Sequence, residues 1–503
     1  MTTVLALDQG TSGSTALLLH DDGTVRGRGY REITQHYPQP GWVEHDADEI
    51  LRRSLDAMRD ALAGGERPAA LGITNQRETV VLWDRRTLRP VAPAIVWQDR
   101  RTTERCRALG VEGREAWVRG RTGLLLDPYF SATKLEWLLR DAELRRRAGR
   151  GELAAGTVDS WLVARLTGGR VHVTDHTNAS RTLLYNLAGR DFDPALLALF
   201  DVPAELLPTI VPSSGVLAET DAEHLGFTLP IAGLAGDQQA ALFGQGCVHV
   251  GRAKNTYGTG AFLLLYAGTT PPAPPPGLLA TAACGPTGEL AYALEGALFI
   301  AGAAVQWLRD GLGIVARADE TERLARSVSD TGGVTFVPAF TGLGTPHWEP
   351  DARGVITGLT GGTTRAHLAR AALEAMASGS ADLIDAMTAG TGTPLDVLRV
   401  DGGAAANDWL MQHQADLLGV PVERPGIVDT TALGAAGLAG VALGIWRSAD
   451  DLAERLPRRR FTPRISPAER AAHRAAWARA VGAAVAWARA GRQAGSLDPG
   501  ADL

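Results

Sequence analysis

The sequence predicts an α/β protein built from two large domains, and two observations support this fold class. Two glycine-threonine turns, Asp8–Thr11 and Tyr257–Gly260, place Thr11 and Thr259 248 residues apart, which is about half of the 503-residue chain. Helix-like and strand-like segments then alternate through about residue 240, as they do in α/β domains. We therefore expect an N-terminal domain of residues 1–245 and a C-terminal domain of residues 246–503.

Both turns join short apolar runs, so each predicts a β-hairpin. Residues 4–7 lead into the first turn and residues 16–19 leave it, while residues 261–265 leave the second. A helix is predicted from Asp46 to Leu62, because Glu49 follows Asp46 at capping-box spacing and Gly64-Gly65 ends the segment. Strands are predicted at residues 69–74, 79–83 and 94–97.

Two further segments near the C-terminus have clear patterns. Residues 432–446 are apolar and rich in alanine and glycine. They are shorter than the roughly 20 residues of a membrane-spanning helix, which favours close helix packing. A helix is predicted from Pro467 to Arg489, followed by a polar tail. The N-terminus enters a strand at once, so we expect no signal peptide.

Composition excludes several classes of function. The net charge of −6 and the pI near 6.0 argue against nucleic acid as a partner. Three widely spaced cysteines indicate neither a disulfide framework nor a zinc site, and a cytoplasmic location fits them. The chain has only two lysines, Lys134 and Lys254, and neither lies in a Walker-type loop.

The paired turns nevertheless suit a polyphosphate. Glycine allows backbone N–H groups to approach an anion closely, and a threonine hydroxyl adds a donor. Either turn alone is equally well explained as an ordinary hairpin, but the matched pair favours a two-domain ATP clamp. A third glycine cluster, Val400–Asn407, leads from a strand into a helix, and is either a nucleotide cradle or a structural turn.

Asp237 is the strongest candidate for a catalytic residue. It follows an apolar run and begins a helical segment, where the helix dipole favours an ionised carboxylate that can take a proton from an alcohol. An ordinary N-cap aspartate is the alternative. Arg77 and Glu78, between two apolar strands, offer the donors and acceptors that a small polyol needs. Trp97 and Tyr129 would cover its carbons, or would simply belong to the core.

Several stretches together resemble the glycerol kinases of the FGGY carbohydrate kinase family along nearly the whole chain. They are Pro40–Asp46, Ile73–Thr79, Asp127–Ser131 and Gly236–Gly244, and residues 129–141 and 354–374 are similar to the two general family signatures. The resemblance implies an actin-like ATPase fold of two ribonuclease H-like domains, with ATP and substrate in the cleft between them. It also implies MgATP-dependent phosphorylation of glycerol to sn-glycerol 3-phosphate in glycerol catabolism, by a cytoplasmic dimer or tetramer without a membrane span.

Residue roles follow from the same resemblance. Asp237 is implied to be the catalytic base, and Asp8 to be the carboxylate associated with Mg²⁺. The implied glycerol-binding residues are Arg77, Glu78, Trp97, Tyr129, Asp237, Gln238 and Phe262. The implied nucleotide-binding residues are Thr11, Ser12, Gly13, Thr15, Thr259, Gly302, Gln306, Gly403 and Asn407.

The first phosphate loop departs from the family pattern. Thr15 stands where an arginine is expected, after Gly13 and Ser14. We expect the missing cation to weaken a phosphate contact unless another arginine replaces it, and Thr15→Arg to lower the Michaelis constant for ATP. The altered loop keeps a weakly active paralogue open as one alternative, and a sister kinase acting on another polyol or a pentulose is the other.

Overall fold

The computed structural model describes residues 2–495, which form two large mixed sheets, four smaller sheets and the helices that surround them. The strands are β1 Thr3–Gln9, β2 Gly13–His20, β3 Val25–Glu32, β4 Glu44–His45, β5 Ala70–Asn75, β6 Val80–Asp84, β7 Ala94–Ile95, β8 Leu153–Thr157, β9 Val173–Asp175, β10 Tyr185–Asn186, β11 Asp191–Phe192, β12 Thr209–Val211, β13 Ser214–Glu219, β14 Pro230–Gly236, β15 Arg252–Tyr257, β16 Ala261–Gly268, β17 Leu279–Cys284, β18 Leu290–Leu298, β19 Thr335–Val337, β20 Val355–Thr357, β21 Val397–Asp401, β22 Val422–Pro425 and β23 Arg458–Phe461.

The helices alternate with these strands through most of the chain. They are α1 Ala47–Ala61, α2 Thr103–Val111, α3 Glu115–Thr122, α4 Ala132–Leu138, α5 Ala142–Gly149, α6 Val158–Leu166, α7 His176–Ala179, α8 Pro194–Leu199, α9 Ala222–Leu225, α10 Asp237–Gly244, α11 Gly302–Asp310, α12 Glu320–Arg326, α13 Arg365–Thr391, α14 Asp408–Leu418, α15 Thr430–Ala442, α16 Ala449–Arg455 and α17 Pro467–Gly495. Short 3₁₀ turns lie at Ala204–Leu206 and Gly403–Ala406.

The two sheets repeat one arrangement. The first has the order β13-β14-β5-β1-β2-β3, with β1 and β2 forming an antiparallel hairpin and β1, β5 and β14 running parallel. The second has the order β17-β18-β16-β15-β21-β22-β23, with β15 and β16 as the hairpin and β15, β21 and β22 parallel. Both predicted hairpins are confirmed, and their half-chain spacing reflects this structural repeat.

The local predictions agree closely with these boundaries. Asp46 caps α1 by accepting a hydrogen bond from the Asp48 N–H, and Leu62 is its C-cap residue. The strand predicted at residues 94–97 is shorter than expected, because regular pairing ends at Ile95. The helix predicted at residues 467–489 continues to Gly495, and the rest of the predicted polar tail lies outside the described residues.

Helices α10 and α15 cross between the sheets. Although α15 comes from the second half of the chain, it packs on β1, β5 and β14 of the first sheet. The approach depends on glycine, because a Cβ atom on Gly434 would lie 1.8 Å from the carbonyl oxygen of Ala240 in α10. Close packing is therefore the correct interpretation of residues 432–446. Among the described helices, none is long and apolar enough to cross a membrane.

Candidate functional site

Asp237 is the first residue of α10, directly after β14 of the first sheet. Its Oδ1 atom lies 3.2 Å from Nε of Arg77 and accepts a hydrogen bond of 2.7 Å from the backbone N–H of Gln238. The side chain keeps 29% of its surface exposed. The carboxylate is therefore held in place and still open to a ligand.

The acidity of Asp237 differs from the expectation based on the helix dipole alone. Burial raises the pKa of its carboxyl, and the charges of Arg77 and Lys254 together with the Gln238 N–H offset part of that rise. A raised pKa makes the carboxylate a stronger proton acceptor than an ordinary aspartate.

Arg77 and Glu78 lie in a buried network of alternating charges. Arg77 makes two hydrogen bonds to Glu295, of 2.6 and 3.1 Å, and Arg181 donates to Glu78 at 2.6 Å and to Glu295 at 3.0 Å. All four side chains are at most 4% exposed. Glu78 has a φ of 62°, a backbone conformation that costs free energy in a non-glycine residue and is characteristic of functional sites.

The two carboxylates of this network have pKa values that are shifted in opposite directions. Burial raises the pKa of Glu295, but Arg181 and Arg77 outweigh it and bring that pKa down to about 2. For Glu78 the same guanidinium groups only partly offset burial, so its pKa remains raised. One Arg181 nitrogen, Nη1, has no hydrogen-bond partner among the described residues.

Tyr129 lies beside this network, with the Arg181 guanidinium 5.6 Å from its ring centroid. The Trp97 and Tyr129 rings meet edge to face with centroids 5.4 Å apart. The Trp97 indole N–H donates to the Thr11 hydroxyl at 2.8 Å, which joins the predicted polyol residues to the first phosphate loop. Phe262 pairs with Thr256 and Ala297 across the second sheet.

Gln238 connects α10 to the second sheet. Its side-chain oxygen accepts a hydrogen bond from the Lys254 ammonium, which also donates to the Thr256 hydroxyl. Lys254 is fully buried on β15. The second sheet thereby supplies a cation next to Asp237.

The loop predicted to bind phosphate connects β1 and β2. Asp8 lies opposite Thr15 in the hairpin, Thr11 is half-buried and Ser12 is exposed at the turn. Gly13 is covered by Tyr30, because a Cβ atom there would lie 2.7 Å from atoms of the Tyr30 ring. This loop therefore offers backbone groups and two hydroxyls to a ligand.

Asp8 has an environment that suits a divalent cation. Burial raises the pKa of its carboxyl to about 8, and the negative charges of Asp237 and Asp429 contribute to the rise. A cation beside Asp8 would offset these negative charges, and carboxylate oxygens are ligands that Mg²⁺ prefers.

All five nucleotide residues predicted in the second half line one cavity of about 530 Å³. These are Thr259, Gly302, Gln306, Gly403 and Asn407. The chain approaches itself closely here, because a Cβ atom on Gly302 would lie 2.6 Å from the carbonyl oxygen of Gly258. Leu373 and Met376 of α13 form an apolar wall of the same cavity.

Four charged residues of the site were not predicted from the sequence: Arg181, Lys254, Glu295 and Asp429. Two of them carried a signal. Glu295 is a lone carboxylate within the apolar strand β18, and Lys254 is one of only two lysines and lies within β15. A charge in a buried strand needs a partner, which could have directed attention to both.

Comparison with known proteins agrees with this geometry. Residues 3–244 match the N-terminal domain of the FGGY family of carbohydrate kinases, and residues 253–443 match its C-terminal domain. The chain is 56% identical to a glycerol kinase of Bordetella parapertussis over 470 residues, which cover 92% of each protein. It is 57% identical to a glycerol kinase of Aromatoleum aromaticum over 469 residues, covering 92% of this chain and 95% of that one.

The chain belongs to the FGGY family of carbohydrate kinases. Solved structures agree: a Plasmodium falciparum glycerol kinase with ADP superposes on this FGGY kinase with a TM-score of 0.92, at 33% identity, covering 96% of this chain and 98% of that one. A xyloylose kinase from Brucella ovis gives a TM-score of 0.84 at 26% identity, with coverage of 96% and 99%. The expected two-domain actin-like fold is confirmed, while the boundary at residue 245 stays a prediction.

Proposed function

We propose that this FGGY kinase transfers the γ-phosphoryl group of MgATP to glycerol and forms sn-glycerol 3-phosphate. The observation that carries the proposal is the position of Asp237, which contacts Arg77 of the buried network and lies next to Gln238, the residue bound by Lys254 of the second hairpin. The high identity to glycerol kinases of other bacteria supports the choice of substrate.

The reaction follows from this geometry. Glycerol lies against Arg77 and Glu78, whose donors and acceptors fit adjacent hydroxyls, with Trp97, Tyr129 and Phe262 covering its carbons and Gln238 at its edge. Asp237 takes the proton of a primary hydroxyl as that oxygen attacks the γ-phosphorus and the bond to the ADP oxygen breaks. Positioning contributes most, because the transition state of phosphoryl transfer is loose.

Residues from both halves of the chain would bind the nucleotide. The cavity formed by Thr259, Gly302, Gln306, Gly403 and Asn407 would hold the nucleoside end, and the loop of Thr11, Ser12, Gly13 and Thr15 would hold the phosphates. Asp8 would hold Mg²⁺, which when bound neutralises charge on the phosphates of ATP. The place of Asp8 near the end of β1, next to this loop, supports the assignment.

The decisive experiment measures glycerol-dependent ADP formation with MgATP by the wild type and by Asp237→Asn. We expect the amide to lower kcat by about 10²–10⁴-fold, the usual contribution of a general base, while ATP binding persists. Xylulose, ribulose and erythritol are compared with glycerol. Faster turnover of one of these would identify a sister kinase, and no turnover despite ATP binding would identify an inactive paralogue.

Location and assembly are part of the same proposal. We assign the enzyme to the cytoplasm, which three free, buried cysteines support. We also propose a homodimer or homotetramer, on the family resemblance alone. Light scattering on the purified protein tests this, and a monomer at micromolar concentration would refute it.

A further inference from the structure

Three consecutive strands of the first sheet align the phosphate loop with β3. Asp8 of β1 lies opposite Thr15 of β2, and Thr15 lies opposite Tyr30 of β3. Arg28 lies opposite Leu17, two residues from Tyr30 along β3. Because alternate residues of a strand share a face, Asp8, Thr15 and Arg28 lie on one side of the sheet. That side packs against α15.

Residue sizes on this face are complementary. The small residues Gly13 and Thr15 are on β2, and the large residues Tyr30 and Arg28 are on β3. The Tyr30 ring occupies the space of a side chain at position 13. Arg28 is the diagonal neighbour of Thr15, at a separation that long side chains can bridge. The space left by the short Thr15 side chain is therefore within reach of Arg28.

The Arg28 guanidinium points toward the carboxylate cluster. Its Nε lies 3.1 Å from Oδ2 of Asp429 and its Nη2 lies 3.3 Å from Oδ1. Asp429 directly precedes α15 and is close enough to act on Asp8. A guanidinium has five N–H groups, so about three remain after these two hydrogen bonds. The side chain is 52% exposed, which leaves these donors open to a ligand.

We propose that Arg28 binds the polyphosphate of ATP and supplies from β3 the cation that position 15 lacks. The inference rests on the proposed kinase function and deepens it by naming a phosphate-binding residue. Arg28 would then compensate for Thr15, because the short side chain on β2 leaves room for a long cationic side chain from β3. Arg28 would thereby supply the phosphate contact that Thr15 cannot make.

The test is direct binding of MgATP, MgADP and adenosine to Arg28→Met by calorimetry, without any acceptor. We expect the affinity for both phosphorylated nucleotides to fall about tenfold, as for loss of a charged hydrogen bond, and the affinity for adenosine to stay unchanged. An exposed ion pair contributes little to stability, so the variant should fold. In turnover assays the Michaelis constant for ATP should rise far more than kcat falls.

Arg31→Met is the matched control. Arg31 is on the same strand but on the other face, where it pairs with Asp60 of α1 at 2.6 Å. We expect its loss to leave nucleotide affinity unchanged. Asp429→Asn tests whether Arg28 binds phosphate or only holds Asp429 in place, because this change breaks the Arg28–Asp429 ion pair but keeps the guanidinium. Because Asp429 is also near the proposed Mg²⁺ site, this variant is compared using ATP with EDTA, and it should bind metal-free ATP at least as tightly as the wild type.

Rescue provides the final readout. Thr15→Arg should recover most of the lost affinity in the Arg28→Met background and bring a smaller gain in the wild type. Unchanged MgATP affinity of Arg28→Met, or an equal loss for adenosine, would overturn the proposal. So would an Asp429→Asn variant whose affinity for metal-free ATP is as low as that of Arg28→Met. Because no acceptor is present, these results do not depend on glycerol being the substrate.

Discussion

Single charges around Asp237 determine how readily it accepts a proton. Burial raises the pKa of its carboxyl, and the Lys254 ammonium is one of the groups that lower it again. A base acts only when deprotonated, so activity falls as pH drops through this raised pKa. Removing the cation should raise the pKa further. We therefore expect Lys254→Met to move the acid limb of kcat/KM for glycerol to higher pH than in the wild type.

Lys254→Arg serves as the control for this prediction. Arginine keeps the positive charge beside Asp237, so the acid limb should remain near its wild-type position even if the rate falls. The measurement is a pH profile of both variants with saturating MgATP. A limb that stays in place in Lys254→Met would show that another group controls the acid side.

At the residue scale the sequence predicted the polar candidates better than their partners. Arg77, Glu78 and Asp237 could be proposed because each lies next to a strand end or a helix start, where polar residues are visible against apolar runs. Arg181 has no such signal, and the isolated charge of Glu295 in β18 does not identify its partners. Their role depends on contacts between residues 114 positions apart, which no local pattern encodes.

At the element scale the contact between α10 and α15 tests the role of small residues. A Cβ atom on Gly434 would lie 1.8 Å from a backbone oxygen of α10, so even alanine must push the helices apart. We expect Gly434→Ala to lower the free energy of unfolding by about 1–3 kcal/mol, as for overpacked cores. Urea unfolding followed by circular dichroism measures the change.

Gly482 supplies a matched control for that substitution. It also lies within a helix, α17, but is exposed, and a Cβ atom there would meet no atom within 4 Å. Gly482→Ala should stabilise the protein by about 0.5–1 kcal/mol, because alanine loses less backbone entropy on folding. Equal effects at both positions would mean that helix propensity, rather than the crossing with α10, controls stability at Gly434.

The helices and strands themselves were predictable from capping residues and apolar periodicity, and α1 is an example. What the sequence did not predict is that α15 packs on the sheet of the other half. The alanine and glycine pattern of residues 432–446 indicated close packing but not its partner, because backbone approach distances become known only once the two sheets are placed.

At the scale of the whole molecule, Glu295 joins the two halves. It lies on β18 of the second sheet, while Arg77 follows β5 of the first sheet and Arg181 follows α7. Replacing one member of a buried ion-pair network leaves charges without compensation, which costs about 3–5 kcal/mol. We expect Glu295→Gln to lower the free energy of unfolding by this amount at pH 7, measured by urea titration. Arg326→Gln, which removes an exposed pair with Glu322, should change it by less than about 0.5 kcal/mol.

The pH dependence of the difference in unfolding free energy between the wild type and Glu295→Gln distinguishes an ionic effect from a packing effect. The folded-state pKa of Glu295 is about 2, below the ordinary glutamate value of 4.5. Its ion pairs therefore contribute fully above the unfolded-state pKa, and their contribution is lost as pH falls toward the folded-state value. The gap between wild type and Glu295→Gln should be constant from neutral pH down to about 5 and should shrink below that. A gap that is the same at pH 7 and pH 3 would mean that shape, not charge, holds the two halves together at this point.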